Sequence, residues 1–224
     1  MCDPCVYVKD DSSSKAFIVL YVDDLLVTGS SEVGTSKTNA FLMTEFAMDL
    51  GDVSLILGMQ VSRGRLKGAL DINQGNYVKE ILQTIRVCRQ QIGKYTRHWK
   101  TPGPKTRNSA GRWQRAAISR IVGSLIYLST CTRWDIAYSV IKLTRAMSNR
   151  TDEHMVAAKR ALRYLKGTLD LCVRYTKDST LHGYADARHS DDLNNSRPVS
   201  GYLYKFAGGS VTWSSKKQPV VALL

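Results

Sequence analysis

Apolar and polar positions follow two rhythms along this chain, and the change from one to the other divides it. The runs Phe17 to Val22 and Leu25 to Val27 are short, rich in strand formers and separated by Asp23-Asp24. That pattern predicts a β-hairpin with buried arms and two carboxylates pushed out at its tip. Ser30-Ser31 is placed to cap a helix running to about Met48, after which Asp49-Leu50-Gly51-Asp52 breaks it. Two strands, Val53 to Ser62 and Ala69 to Ile72, are expected around a basic loop with two glycines. Tyr77, Val78, Ile81, Leu82 and Ile85 then form the cleanest helical stripe in the chain, a core face. Three more helices follow from their apolar spacing: Ile118 to Leu128, Ile136 to Met147, and Met155 to Leu165, the last ending at Gly167, which suits a left-handed C-cap. From Leu171 onward the period is two. Val173 and Tyr175, Leu181 to Ala187, Val199 to Phe206 and Val211 to Trp213 predict an antiparallel meander whose last turn is Ala207-Gly208-Gly209-Ser210.

Composition narrows the class. With 224 residues, 43% of them hydrophobic, the chain is long enough for one large domain or two small ones. Cys2 and Cys5 make a C-x-x-C, but Cys88, Cys131 and Cys172 are isolated, so neither a disulfide framework nor a tetrahedral zinc site is expected. No apolar run approaches membrane-spanning length and the N-terminus is not signal-like, which leads to an expectation of a soluble chain in the cytoplasm or nucleus.

Net charge is +13, unevenly distributed. Residues 1–60 hold three basic and nine acidic side chains, or −6, leaving 29 basic and ten acidic in the remainder, or +19. Between Glu80 and Asp135 there is no acid, while eleven Lys and Arg fall there, among them Arg97, Lys100, Arg112, Arg115 and Arg133. Tyr95, Trp99 and Trp113 are interleaved, as in a surface that neutralises phosphates and stacks on bases; Pro102, Gly103 and Pro104 suit a solvated linker equally well. The third long helix adds Lys159, Arg160, Arg163 and Lys166, with Glu153 the one acid within reach, so either a solvated face or a phosphate contact is open. Adjacent acids between apolar flanks, without Gly or Asn to ease the turn, point beyond turn-making to a divalent metal at Asp23 and Asp24. Asp186, at the end of the strand beginning at Leu181, is by itself an ordinary turn residue.

The string YVDD at Tyr21–Asp24, with DPCVY before it and LLVTGSS after it, resembles the polymerase signature of copia-type LTR retrotransposon Pol polyproteins. LGMQVSR, INQGNYVKEIL, IVGSLIYLSTCTRWDIAYSV, AAKRALRYLKGTLD, HGYADA and RPVSGYLYKFAGGSVTWSSKKQPVVAL resemble family segments in family order, covering nearly the whole chain. The resemblance implies an α+β fold: residues 1–86 part of a reverse transcriptase palm, with the YVDD hairpin, and thumb; 87–114 a basic linker; 115–170 a helical connection; 171–224 an incomplete, antiparallel ribonuclease H-like sheet. It also implies that Asp23 and Asp24 are the Mg2+-binding pair, Asp23 the principal ligand, that Asp186 is the first ribonuclease H acid, and that an RNA/DNA primer-template is the partner. The family's other polymerase acid lies upstream of this hairpin and its later ribonuclease H acids downstream, so both sites are expected to be incomplete and this copy inactive by itself, or paired with an intact one. Asp186-Ala187-Arg188-His189, where the family has Asp-Ala-Asp-Trp, and Thr132-Arg133-Trp134-Asp135, where it has Thr-Arg-Pro-Asp, are departures. A noncatalytic nucleic-acid-binding remnant is the alternative.

Overall fold

Strands β1 (Val6–Asp11), β2 (Ser14–Tyr21) and β3 (Asp24–Gly29) form an antiparallel meander. The computed structural model describes residues 3–11, 14–46, 48, 50–85, 112–148, 151–188 and 198–218, with backbone alone at 11, 112–115 and 188. Contacts divide the chain into two units, residues 1–58 and 59–224.

In the first unit the meander closes at its base through Ser30, whose N–H donates to the Lys15 carbonyl at 2.9 Å and whose Oγ accepts from the Lys15 N–H at 2.9 Å. Ser31 is the N-cap of α1 (Glu32–Glu45), its Oγ accepting from the Gly34 N–H. A Cβ on Gly29 would stand 2.7 Å from the Lys15 carbonyl and 2.8 Å from Thr35 Oγ1, so glycine is what lets α1 approach the hairpin. The helix ends at Glu45, short of the expected Met48; it has no basic residue in its last turn and ends on an acid, which the negative helix terminus disfavours. The hairpin arms are half-buried to exposed, not buried as expected: Ala16 and Leu42 are the buried hydrophobic side chains among the described residues of this unit. The strand expected over Val53 to Ser62 is interrupted. Strand β4 (Leu55–Ile56) stops at Leu57 and Gly58, both left-handed at φ 48° and 69°.

The second unit begins with the hairpin of β5 (Met59–Gly64) and β6 (Ala69–Asn73). Helix α2 (Gly75–Thr84) starts where Asn73 Oδ1 accepts from the Gly75 N–H and Gln60 Oε1 from the Asn76 N–H, satisfying donors that a helix start leaves open. Then come α3 (Arg112–Cys131), a single 3₁₀ turn (Trp134–Ile136), α4 (Ala137–Arg145) and α5 (Asp152–Lys166). The apolar stripes of these four helices meet in one core that includes Val78, Ile81, Leu125, Leu128, Val140 and Leu162. Removing so much apolar surface from water is the main favourable term for this unit. Gly167 is right-handed (φ −79°, ψ −5°), not left-handed. The chain continues into a turn held by Thr168, whose Oγ1 donates to the Tyr164 carbonyl, so the glycine's freedom is not used.

Strand β7 (Val173–Tyr175) does not join the meander it was expected to start. It pairs antiparallel with β6, Val173 opposite Ile72 and Tyr175 opposite Leu70, and Arg174 grips Asp71 with two bonds of 2.7 Å. The remaining strands, β8 (Leu181–Arg188), β9 (Val199–Phe206) and β10 (Gly209–Lys217), form a three-stranded antiparallel sheet with β9 in the centre. Ala207 and Gly208, both with φ above zero, make the two-residue turn between β9 and β10. No helix of the described residues is long and apolar enough to cross a membrane.

Candidate functional site

Tyr21 and Asp24 are the last pair of the β2–β3 ladder, leaving Val22 and Asp23 as a two-residue turn. Asp23 is therefore at the apex, while Asp24, expected at the tip with it, is the first residue of β3. Both are exposed. Val22 carries the bend at φ 54° with 84% of its surface in solvent, a conformation that crowds a β-branched side chain. With neither Gly nor Asn in this turn, Val22 takes its left-handed position. Two adjacent carboxylates are hard oxygen donors that suit Mg2+, an ion commonly held by one or two protein carboxylates together with substrate phosphates. Among the described residues no group of three or more His, Cys, Asp or Glu is placed to hold a metal ion.

Asp186 lies on β8, an edge strand, opposite Gly201 and exposed. It falls in the second unit and the YVDD hairpin in the first.

The cationic residues separate into groups. Arg97 and Lys100 lie outside the described residues, as do Tyr95, Trp99, His98 and His189. Arg112 and Arg115 occupy the first turn of α3, which has no acidic residue there. On α5, Arg160 is exposed and Lys159, Arg163 and Lys166 are half-buried beside the core face of Ala157, Ala158, Ala161, Leu162 and Leu165. Arg163 Nε donates to the Lys159 carbonyl at 3.4 Å.

Arg133, grouped with the phosphate-neutralising cations in the sequence, has another role. It is 4% exposed, and its guanidinium donates to both carboxylate oxygens of Asp135 at 2.9 and 2.7 Å and to the carbonyl and Oγ1 of Thr168 at 3.1 and 2.8 Å. Tyr164 stacks 5.5 Å from that guanidinium and donates its hydroxyl to Asp135 Oδ2 at 2.8 Å. Burial, then the bond to Asp135, raises the Tyr164 phenol above its ordinary pKa. Spacing alone gave no warning of this: Tyr164 and Thr168 are some thirty residues away, and only the Arg133-x-Asp135 pair was visible locally.

His154, the third residue of α5, is buried and accepts the Thr151 N–H on Nδ1 at 3.1 Å, a capping arrangement and not a metal site. A cleft of about 470 Å³ opens between α3, α4 and β10, lined by Ile126, Val140, Ile141, Val211 and Trp213 among others. Trp213 reaches across to donate its indole N–H to the Ser129 carbonyl at 2.7 Å. None of the expected site residues lines this cleft.

The family profile described as "Reverse transcriptase (RNA-dependent DNA polymerase)" matches residues 2–97. The chain is 36% identical over 229 residues to the "Retrovirus-related Pol polyprotein from transposon TNT 1-94" of Nicotiana tabacum, spanning 99% of this chain and 17% of that one. It is 32% identical over 227 residues to the "Retrovirus-related Pol polyprotein from transposon RE2" of Arabidopsis thaliana, spanning 96% of this chain and 15% of that one. It is also 31% identical over 215 residues to the "Uncharacterized mitochondrial protein AtMg00810" of Arabidopsis thaliana, 92% of this chain and 85% of that one. The chain thus spans less than a fifth of the two polyproteins. No solved structure matches it.

Proposed function

We propose a function from one premise: this chain belongs to the reverse transcriptase family of copia-type retrotransposon Pol polyproteins. It is read as the part of such a polyprotein in which the YVDD hairpin of the palm is followed by thumb, connection and the first strands of a ribonuclease H-like domain. The observation that carries this is the apex itself: Asp23 in a two-residue turn, held out by a strained Val22, with Asp24 directly behind it.

In this reading Asp23 and Asp24 hold Mg2+, and Asp186 is the first acid of a second, hydrolytic site. Such ions, when bound, would supply positive charge that offsets the charge building up on the phosphate during transfer. The protein's part is positional. The β2–β3 ladder, locked at its base by Ser30 and braced by α1, holds the two carboxylates where a primer end and the phosphates of an incoming nucleotide would meet. Arg112 and Arg115 at the start of α3, the α5 cations Lys159, Arg160, Arg163 and Lys166, and the linker residues Arg97 and Lys100 contribute phosphate neutralisation along the duplex. Two carboxylates at one tip need a third from a separate strand for full two-metal chemistry, so the binding-only reading is kept as the alternative.

Primer extension on an RNA template with Mg2+ decides between them. Incorporation that Asp23→Asn reduces by at least about a hundredfold supports the catalytic reading. Salt-sensitive binding of primer-template with no incorporation supports the noncatalytic one. Incorporation unaffected by Asp23→Asn would remove the apex from the chemistry.

A further inference from the structure

Tyr202, Tyr204 and Phe206 stand on alternate positions of β9 and each keeps 44% of its surface in solvent. Because β9 is the central strand, the three rings run down the middle of the sheet. The register places Leu181, Gly183 and Ala185 of β8 opposite Phe206, Tyr204 and Tyr202, and Gly209, Thr212 and Ser214 of β10 opposite the same three rings, with Ala187 and Lys216 one step beyond the row, opposite Ser200. On the β8 side Tyr202 and Tyr204 face the small residues Ala185 and Gly183 and rise above them, while Phe206 faces the exposed Leu181. A Cβ on Gly183 would come within 2.8 Å of Tyr204 Cε1; the Tyr204 ring lies over that glycine and keeps its outer side open. The Tyr202 and Tyr204 centroids are 5.8 Å apart with planes tilted by 54°. This face carries no acid among its described residues, and Lys216 on it is exposed. Residues 171–224 hold seven Lys and Arg against four Asp.

We propose that this face is a stacking platform for single-stranded nucleic acid, a site separate from the YVDD apex and independent of Asp23 and Asp24. Three features favour that ligand. Alternate residues of a strand are spaced by roughly 6.8 Å, which suits unstacked bases laid one per ring along a flexible backbone. Duplex bases, by contrast, step by about 3.4 Å and do not open to a protein ring. Aromatic side chains set beside mostly small or apolar residues, with a lysine one register step beyond and no acid among them, fit a ligand that has a flat apolar face on every unit and a negative charge on every link. Sheets that bind single-stranded RNA use the same device, exposed aromatic residues on a central strand.

Fluorescence anisotropy of a labelled oligothymidylate, titrated with the 224-residue chain across a range of salt, tests it. Tyr202→Ala with Tyr204→Ala should weaken binding about tenfold or more at every salt concentration while leaving the slope of log K against log salt unchanged, since stacking releases no counterions. Lys216→Ala should reduce that slope by about one. Tyr204→Trp should retain affinity. Ultraviolet crosslinking of the unaltered chain should place the adduct on the peptide that contains Tyr202 and Tyr204, a readout that holds even if the double variant does not fold. The proposal is overturned if the crosslink maps elsewhere or if the double alanine variant binds as well as the parent. It is overturned too if the double variant changes only the sedimentation of the protein, which would make the face a protein-protein surface. Because the oligonucleotide offers no primer-template, a negative result here leaves the polymerase reading standing, and a loss of extension in Asp23→Asn leaves this one standing.

Discussion

Val22 is where a single side chain works against its backbone. At φ 54° its branched Cβ crowds the preceding and following peptides, a conformation that costs on the order of 1–3 kcal/mol and persists only where neighbours impose it. Here the ladder pairs from Ala16–Gly29 to Tyr21–Asp24 impose it. Val22→Gly removes the crowding but loosens the unfolded chain, so a net stabilisation of about 1 kcal/mol is expected by urea denaturation. A loss of stability would mean that the valine side chain does something at the tip beyond enduring strain. His154 gives the other residue-scale expectation. Burial lowers its pKa, the neighbouring Glu153 opposing this in part, and its Nδ1 accepts the Thr151 N–H, so the folded state favours the neutral ring. The unfolded chain takes up a proton near pH 6.5, the folded chain only below that. Stability is thus fully present above the unfolded value and is lost as pH falls through the folded one. Gln in this place keeps the reciprocal cap, because Thr-x-x-Gln supplies the same acceptor without a titrating group. His154→Gln should therefore flatten the fall in denaturation midpoint between neutral and mildly acidic buffer; an unchanged fall would assign the pH dependence to other groups.

At the scale of elements, the helices were legible in the sequence and the strand partners were not. The stripes Tyr77 to Ile85 and Met155 to Leu165 repeat with the period of a helix, and the stripe alone identifies both the element and its buried face. A strand's period names its faces but leaves its partner open. Val173 to Tyr175 sits in sequence next to the meander, yet it pairs with β6 through the Asp71–Arg174 contact, which joins residues 103 positions apart. That contact holds the Asp71 carboxyl below its ordinary pKa, the bond to Arg174 being the largest cause. The Arg133 cluster is of the same kind. It joins the end of α3, the 3₁₀ turn and the end of α5 through one guanidinium. Arg133→Met should destabilise the second unit by about 2–3 kcal/mol, because it leaves the Asp135 carboxylate in a poorly solvated place facing only Tyr164. Adding Asp135→Leu should recover most of that loss, and a chemical-denaturation double-mutant cycle measures it; additive losses would show that the two residues are not coupled.

For the whole molecule, composition, charge and collinear motifs were enough to name the family, because the YVDD string and the segments that follow it keep their order at 31–36% identity. The separation of charge, −6 over residues 1–60 and +19 beyond, was equally plain, since it is a sum over side chains and needs no contacts. The hairpin that carries Asp23 and Asp24 was readable for a related reason, since its apolar arms and its turn lie within fourteen residues, but its register was not: the turn is Val22-Asp23, and Asp24 belongs to β3. What only the tertiary structure decided are the features made by residues distant in sequence. These include the burial of Arg133 against Asp135 and Thr168, the pairing of β7 with β6 and the row of three rings left open on β9. The physical reason is the range of the interactions: backbone propensity and periodic burial act over a few residues, whereas ion pairing, strand pairing and exposure depend on what the fold brings alongside.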